Sequence, residues 1–171
     1  MHKALRGRII ALASQKGGTG KTTTTLNLGA ILSEKGKRTL LVDMDPQANL
    51  TMGLGIEGSK THLTIYDVLL NPERGLELAV RKTNLPNLDI IPSSLDLAGA
   101  EIELAGKDER QWLLKKCMEG VKAAYDFIII DTPPSLGLYT QNALIASYEV
   151  IVPLQVHVYA RKAIAQLQTH H

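Results

Sequence analysis

Short apolar runs recur along the chain, separated by stretches with helical period. Arg8 to Ala13, Thr39 to Asp43, Leu88 to Pro92, Phe127 to Asp131 and Val150 to Leu154 are apolar segments bounded by polar or turn residues, and each is a predicted strand. Leu40 to Val42 and Ile128 to Ile130 are apolar at every position instead of alternating, which predicts a sheet covered by helices on both faces. Between the first two runs, Lys21 to Lys35 sets Leu28, Ile31, Leu32 and Lys35 at helical spacing, with Gly36 where a helix would stop. Thr64 to Leu70 predicts a helix capped by Thr64 and ended by Asn71-Pro72. Leu95 to Ala124 predicts a long helical stretch, or two helices joined by a turn at Gly106 to Arg110, and Leu138 to Ser147 a shorter helix. The alternation of strand and helix is that of an α/β fold with three layers, α/β/α, around a mainly parallel, doubly wound sheet.

Composition keeps this to one unit. The 171 residues, 44% of them hydrophobic, suit a single domain over residues 1–171 with a real core. No repeat, low-complexity tract or interdomain linker interrupts them. Nineteen Lys and Arg stand against 17 Asp and Glu, a net charge of +2, so any attraction to nucleic acid or membrane must come from a local patch. Cys117 is the only cysteine, which excludes an internal disulfide and any site built from several thiolates, and it fits a reducing cytoplasm. The apolar run after the basic N-terminus, Ile9 to Ala13, is too short for a signal peptide core or a membrane span. The adjacent His170 and His171 read more readily as a frayed end or a tag remnant than as metal ligands.

Candidate chemistry lies where three of the predicted strands end: Ser14-Gln15-Lys16, Asp43-Met44-Asp45 and Asp131-Thr132-Pro133. In doubly wound sheets ligands bind beyond the carboxyl ends of the strands. The run Lys16-Gly17-Gly18-Thr19-Gly20-Lys21-Thr22-Thr23 follows a strand and precedes a helix. It ends as a phosphate-binding loop ends, in Gly20-Lys21-Thr22, but Gln15 occupies the position of the usual leading glycine. Gly17, Gly18 and Gly20 allow backbone amides to point at an anion, and the helix adds its positive end. In that frame Lys21 reaches the β and γ phosphates, the Thr22 hydroxyl ligates magnesium, and Thr19 and Thr23 complete the contacts to ATP. Lys16 lies outside the cup, and local sequence alone also allows a solvated charge there.

Asp131, delivered by a buried strand, is expected to reach Mg2+ through a water. Pro133 stiffens the turn beside the γ phosphate. Asp43 and Asp45, two apart in an extended segment, fall on one side. Asp45 is expected to position the attacking water and Asp43 to support the magnesium shell; the other reading makes both turn residues before Pro46.

Together these segments resemble the ParA/MinD family of deviant Walker A ATPases. The resemblance rests on Lys16 to Thr23, on Asp43-Met44-Asp45-Pro46-Gln47 and on Tyr125-Asp126-Phe127-Ile128-Ile129-Ile130-Asp131-Thr132-Pro133-Pro134, and weaker similarity extends it over most of residues 8–156. The Asp-x-Asp-Pro-Gln form is most similar to the ParA/Soj partition branch. The resemblance implies a P-loop NTPase fold and an ATP-sandwich homodimer in which Lys16 reaches the partner subunit's phosphates. It also implies a ParB-like activator, nonspecific DNA binding in the full-length protein, no membrane association, and a cytoplasmic, nucleoid-associated location. Relatives continue past the equivalent of Gln155, so the sequence is expected to be C-terminally truncated, with the sheet incomplete at that end and an isolated chain that is marginally stable, oligomeric or domain-swapped. Two other functions stay open: a MinD-like positioning ATPase at a membrane, and a noncatalytic nucleotide-dependent interaction module. A cluster-bearing electron carrier is disfavoured, since one cysteine per chain cannot give a dimer four thiolates.

Overall fold

The structure, a computed structural model, describes residues 7–56 and 62–154. The expectations for His170, His171 and Gln155 lie outside the described residues. In chain order the elements are β1 (Arg8–Leu12), α1 (Lys21–Glu34), β2 (Thr39–Asp43), α2 (Asn49–Gly53), α3 (Ile65–Leu70), β3 (Arg81–Lys82), β4 (Leu88–Ile91), α4 (Leu97–Leu104), α5 (Leu113–Met118), β5 (Phe127–Asp131), α6 (Leu138–Ala146) and β6 (Glu149–Ile151). Short 3-10 turns stand at Pro72–Arg74, Leu76–Ala79 and Arg110–Trp112. The sheet order is β3-β4-β2-β5-β1-β6. All neighbours are parallel except β3, which runs antiparallel to β4.

Successive residues of each central strand face opposite layers, as a pleated strand requires. Ile9, Ala11, Leu40, Val42, Ile128 and Ile130 enter the larger core beneath α3 to α6. Leu12, Leu41 and Ile129 enter the smaller core with Leu50 of α2, against which Leu26, Leu28 and Leu32 of α1 pack. This is the three-layered α/β/α arrangement, and both faces of the apolar strands are covered.

Helix α1 differs from its sequence pattern in the face it buries. Ile31 is 50% exposed, and the buried residues are Lys21, Thr25, Gly29 and Ser33. These recur every four residues and are mostly small, so the helix lies close against the sheet. A Cβ on Gly29 would meet Leu41 Cδ2 at 2.8 Å. The helix ends as predicted: Gly36 has φ +75°, and the Lys37 amide donates to Leu32 O at 3.0 Å, closing the last turn.

The other elements follow the apolar pattern with local differences. The 95–124 stretch is two helices, α4 and α5, with the break at the charged, glycine-containing segment. The last strand is Glu149–Ile151, shifted toward the N-terminus from the predicted Val150 to Leu154 and standing at one sheet edge. Helix α3 starts after Thr64, whose amide donates to Asp67 Oδ2 at 2.8 Å, a reciprocal cap. The two-residue β3 and five-residue α2 have no counterpart in the hydrophobic pattern.

Candidate functional site

The order of winding places β2, β5 and β1 side by side, with Leu12 in register with Asp131 and Asp131 in register with Asp43. Their carboxyl ends therefore open onto one spot. The loop from β1 to α1 crosses it. Gly18 and Gly20 adopt φ +71° and +88°, and a Cβ at either would touch nothing within 4 Å, so it is the left-handed backbone that calls for glycine here. Gly20 occupies the cap position of α1 without a side-chain cap, and the first turn contains no acid. The amides at this helix end are left for an anion.

A cavity of 440 Å³ sits over the loop, lined by Gly17 to Thr23 together with Asp45, Asn49 and Pro134. Lys21 is 6% exposed, and its ammonium donates to Ser14 O at 3.2 Å, folded into the crook of the loop. Burial pulls its pKa below the ordinary lysine value, opposed by the nearby Asp131 and Asp45 carboxylates. A phosphate entering the loop would meet this desolvated cation directly.

Thr22 Oγ1 donates to Asp131 Oδ2 at 2.6 Å, and Thr25 Oγ1 lies 3.5 Å from Asp131 Oδ1. Asp131 is fully buried; burial pushes its carboxyl up to about 7, the Thr22 hydrogen bond acts against this, and the Asp43 and Asp45 charges add to it. Thr132 Oγ1 donates to Leu12 O at 2.7 Å, fixing the end of β5 against β1. A raised carboxyl without a paired cation is a site that gains when a divalent ion arrives. Among the described residues no cluster of three or more His, Cys, Asp and Glu could hold a metal alone. Magnesium suits this donor set, because it commonly takes one or two protein oxygens and completes its shell with phosphates and water.

The structure gives Asp43, the last residue of β2, and Asp45 different surroundings. Asp45, 7% exposed, lines the cavity and accepts the Gln47 amide at 2.9 Å. Asp43 is fully buried and is not one of the lining residues: Oδ1 accepts the Asp45 amide at 3.1 Å, and Oδ2 accepts the Thr51 amide at 2.9 Å and hydroxyl at 2.7 Å. Burial raises its carboxyl to about 6 against these hydrogen bonds. Asp43 thus supports the backbone of Asp45 and α2 through these bonds.

Pro133 is buried, and the proline in the cavity wall is Pro134, whose Cβ lies 3.8 Å from the position of a Cβ on Gly17. Rigid geometry after Asp131 turns the second proline outward, a distinction invisible in a Pro-Pro pair. Lys16 is exposed, with its carbonyl accepting the Thr19 hydroxyl at 3.4 Å. Asn49 is a lining residue that the motifs do not single out; its nearness to Asp45 in sequence, at the first position of α2, is the signal that marks it. Among the described residues no helix is long and apolar enough to cross a membrane.

Known proteins resemble this chain in sequence and fold. A family model described as an AAA domain matches residues 7–170. The sporulation initiation inhibitor protein Soj of Bacillus subtilis is 52% identical over 161 residues, covering 94% of this chain and 63% of its own length. The chromosome partitioning protein ParA of Myxococcus xanthus is 49% identical, over 96% of this chain and 57% of its own. The chain therefore spans about three fifths of the length of these curated relatives. Among solved structures, cobyrinic acid a,c-diamide synthase from Mycobacterium smegmatis, with bound ADP and magnesium, has a TM-score of 0.88 and 40% identity over 95% of this chain and 66% of that one. Glycine cradle, buried lysine and strand-end aspartates thus stand in a sequence shared with Soj and ParA: the chain belongs to the AAA-domain family of ParA/Soj-type P-loop ATPases.

Proposed function

We propose that the chain is the magnesium-dependent ATP-hydrolysing part of a ParA-like DNA partition protein, using phosphoryl transfer to water. The observation that carries this reading is the Thr22 hydroxyl on the Asp131 carboxylate, 2.6 Å apart, at the foot of a glycine cradle that also buries Lys21. The amides of Gly17 to Thr23 bind the polyphosphate, and Lys21 neutralises its β and γ oxygens. Thr22 and Asp131 would hold the metal. Magnesium, when bound, supplies Lewis-acid neutralisation of the developing phosphate charge. Asp45 orients the attacking water from the cavity wall, and Pro134 borders the γ phosphate position from the β5 side.

Lys16, exposed at the mouth of the loop, is positioned to serve a second subunit's phosphates in an ATP-sandwich homodimer, as an arginine finger does. The Myxococcus xanthus relative is a chromosome partitioning protein by name, and this supports plasmid or chromosome DNA as cargo, with a ParB-like activator, nonspecific DNA binding by the full-length protein, and a cytoplasmic, nucleoid-associated location. The test is steady-state phosphate release with ATP and magnesium. Asp45→Ala is expected to keep nucleotide binding and lose turnover by on the order of a hundredfold. Turnover unchanged in that variant contradicts the assignment, and binding without any turnover in the unsubstituted protein, even with DNA and a ParB-like partner, supports a noncatalytic module instead.

A further inference from the structure

We propose that Thr51 is a positioning residue for the catalytic wall: through Asp43 it sets the height of Asp45 and, as part of α2, the placement of Asn49. The inference rests on the ATPase reading of the cavity for its kinetic consequence, and on hydrogen bonds alone for its structural one.

Thr51 is 1% exposed and stands at a three-way junction. Its hydroxyl has a single proton, donated to Asp43 Oδ2 at 2.7 Å, so the oxygen's remaining capacity is as an acceptor. That capacity is used: the Ser93 amide, just past β4, donates to Thr51 Oγ1 at 3.0 Å. The Thr51 amide donates to the same Asp43 oxygen at 2.9 Å. Asp43 then has its other oxygen turned to the Asp45 amide at 3.1 Å, and Asp45 in turn accepts the Gln47 amide at 2.9 Å. The chain of contacts runs from Ser93 through Thr51 and Asp43 to Asp45, and links the ends of β4 and β2 with α2.

Position 51 requires a hydroxyl for this. Valine fills similar space, but it removes one of the donors holding a fully buried carboxylate and leaves the Ser93 amide without its acceptor. Asp43 would then turn toward its remaining donors, and the Asp45 amide would lose a fixed acceptor. Serine keeps the donor and the acceptor and gives up only a methyl group. Nucleotide is held by Lys21 and the glycine loop on the far side of the cavity wall, so its affinity is expected to change far less than turnover.

The experiment measures amide hydrogen exchange at Asp45 by NMR, together with kcat and KM for ATP, in the unsubstituted protein, Thr51→Val and Thr51→Ser. The expected result for Thr51→Val is Asp45 exchange about tenfold faster and kcat about tenfold lower, with KM within about twofold, the loss of one hydrogen bond to a charged group. Thr51→Ser is expected to restore both to within about threefold. Asp45 exchange within twofold of the unsubstituted protein in Thr51→Val, or a serine variant as impaired as the valine one, overturns the proposal. Should Thr51→Val fail to fold, Thr51→Ala carries the same contrast with serine. Should the unsubstituted protein show no turnover, the ATPase reading fails while the exchange comparison still decides the role of Thr51.

Discussion

The two ends of the sheet both bury carboxylates, and they treat them in opposite ways. At the end where strands begin, Asp89 is 5% exposed and receives the Tyr125 hydroxyl and the Lys82 ammonium, each at 2.8 Å. Arg38 lies near Asp126, and Arg8 pairs with Glu149 at the adjoining edge. At the end where strands finish, Asp43, Asp45 and Asp131 form no ion pair within 4 Å among the described residues; amides and hydroxyls are their partners. Lys21, whose charge acts on Asp131, donates one of its three N–H groups to Ser14 O. One end is electrostatically complete. The other accumulates negative charge beside a lone desolvated ammonium and a ring of amides, an arrangement that a polyphosphate with its divalent cation would complete.

This contrast can be broken most strongly by removing a lysine from each end. Lys21→Ala is expected to lower ATP turnover by on the order of a hundredfold or more, the scale of losing a fixed charge aimed at the transition state, while Lys82→Ala leaves turnover within about twofold. Phosphate-release kinetics on both variants checks the pair.

Stability of the ligand-free protein gives the next largest difference. The Asp131 and Asp43 carboxyls are raised, by burial first, to about 7 and about 6 from 3.8. Groups with raised folded values bind protons more tightly when folded, so their contribution is greatest below pH 3.8 and is lost as pH rises through 6 and 7. The melting temperature of the nucleotide-free protein is expected to fall from pH 5 to pH 8, and Asp131→Asn is expected to raise it at pH 8 and to flatten that slope. Asp89→Asn, which keeps an acceptor for Tyr125 but loses the Lys82 ion pair, is expected to lower stability by about 1 kcal/mol or less. Thermal melts at two pH values read both signs; equal signs would erase the distinction between the ends.

The smallest effect concerns the loop itself. Gly20→Ala places a side chain at φ +88° with no steric neighbour, so its cost is conformational, roughly 1–2 kcal/mol. Chemical denaturation measures it, and the same variant is expected to weaken nucleotide binding because the amides turn away from their common focus.

The sequence makes legible those parts of the molecule that repeat a pattern. Unbroken apolar runs announce β2 and β5 as strands buried on both faces, and Gly36 and Asn71-Pro72 mark where helices stop. The glycine loop and the three aspartates could be located at strand ends before any contact was known. What escapes the sequence is set by tertiary contact. Helix α2 is five residues long with no apolar period, and it is held by the Asp43 to Thr51 bonds across eight positions. β3 exists because Arg81-Lys82 pairs with Ile90 and Asp89 of the neighbouring strand. The face of α1 is misread at Ile31, which is half exposed, because Gly29 allows a closer approach on the small-residue side. Asp43 and Asp45 are given separate roles by their order along the strand end, and only the fold shows that one holds the backbone of the other.

Calorimetric titration of the folded protein with ATP and with ADP, each with magnesium, bears most directly on whether the Gly17 to Thr23 loop holds a polyphosphate. Saturable heat for both nucleotides, lost in Lys21→Ala and undiminished in Lys82→Ala, is the predicted result. Absence of heat from either nucleotide, or equal heat in the two lysine variants, would contradict it.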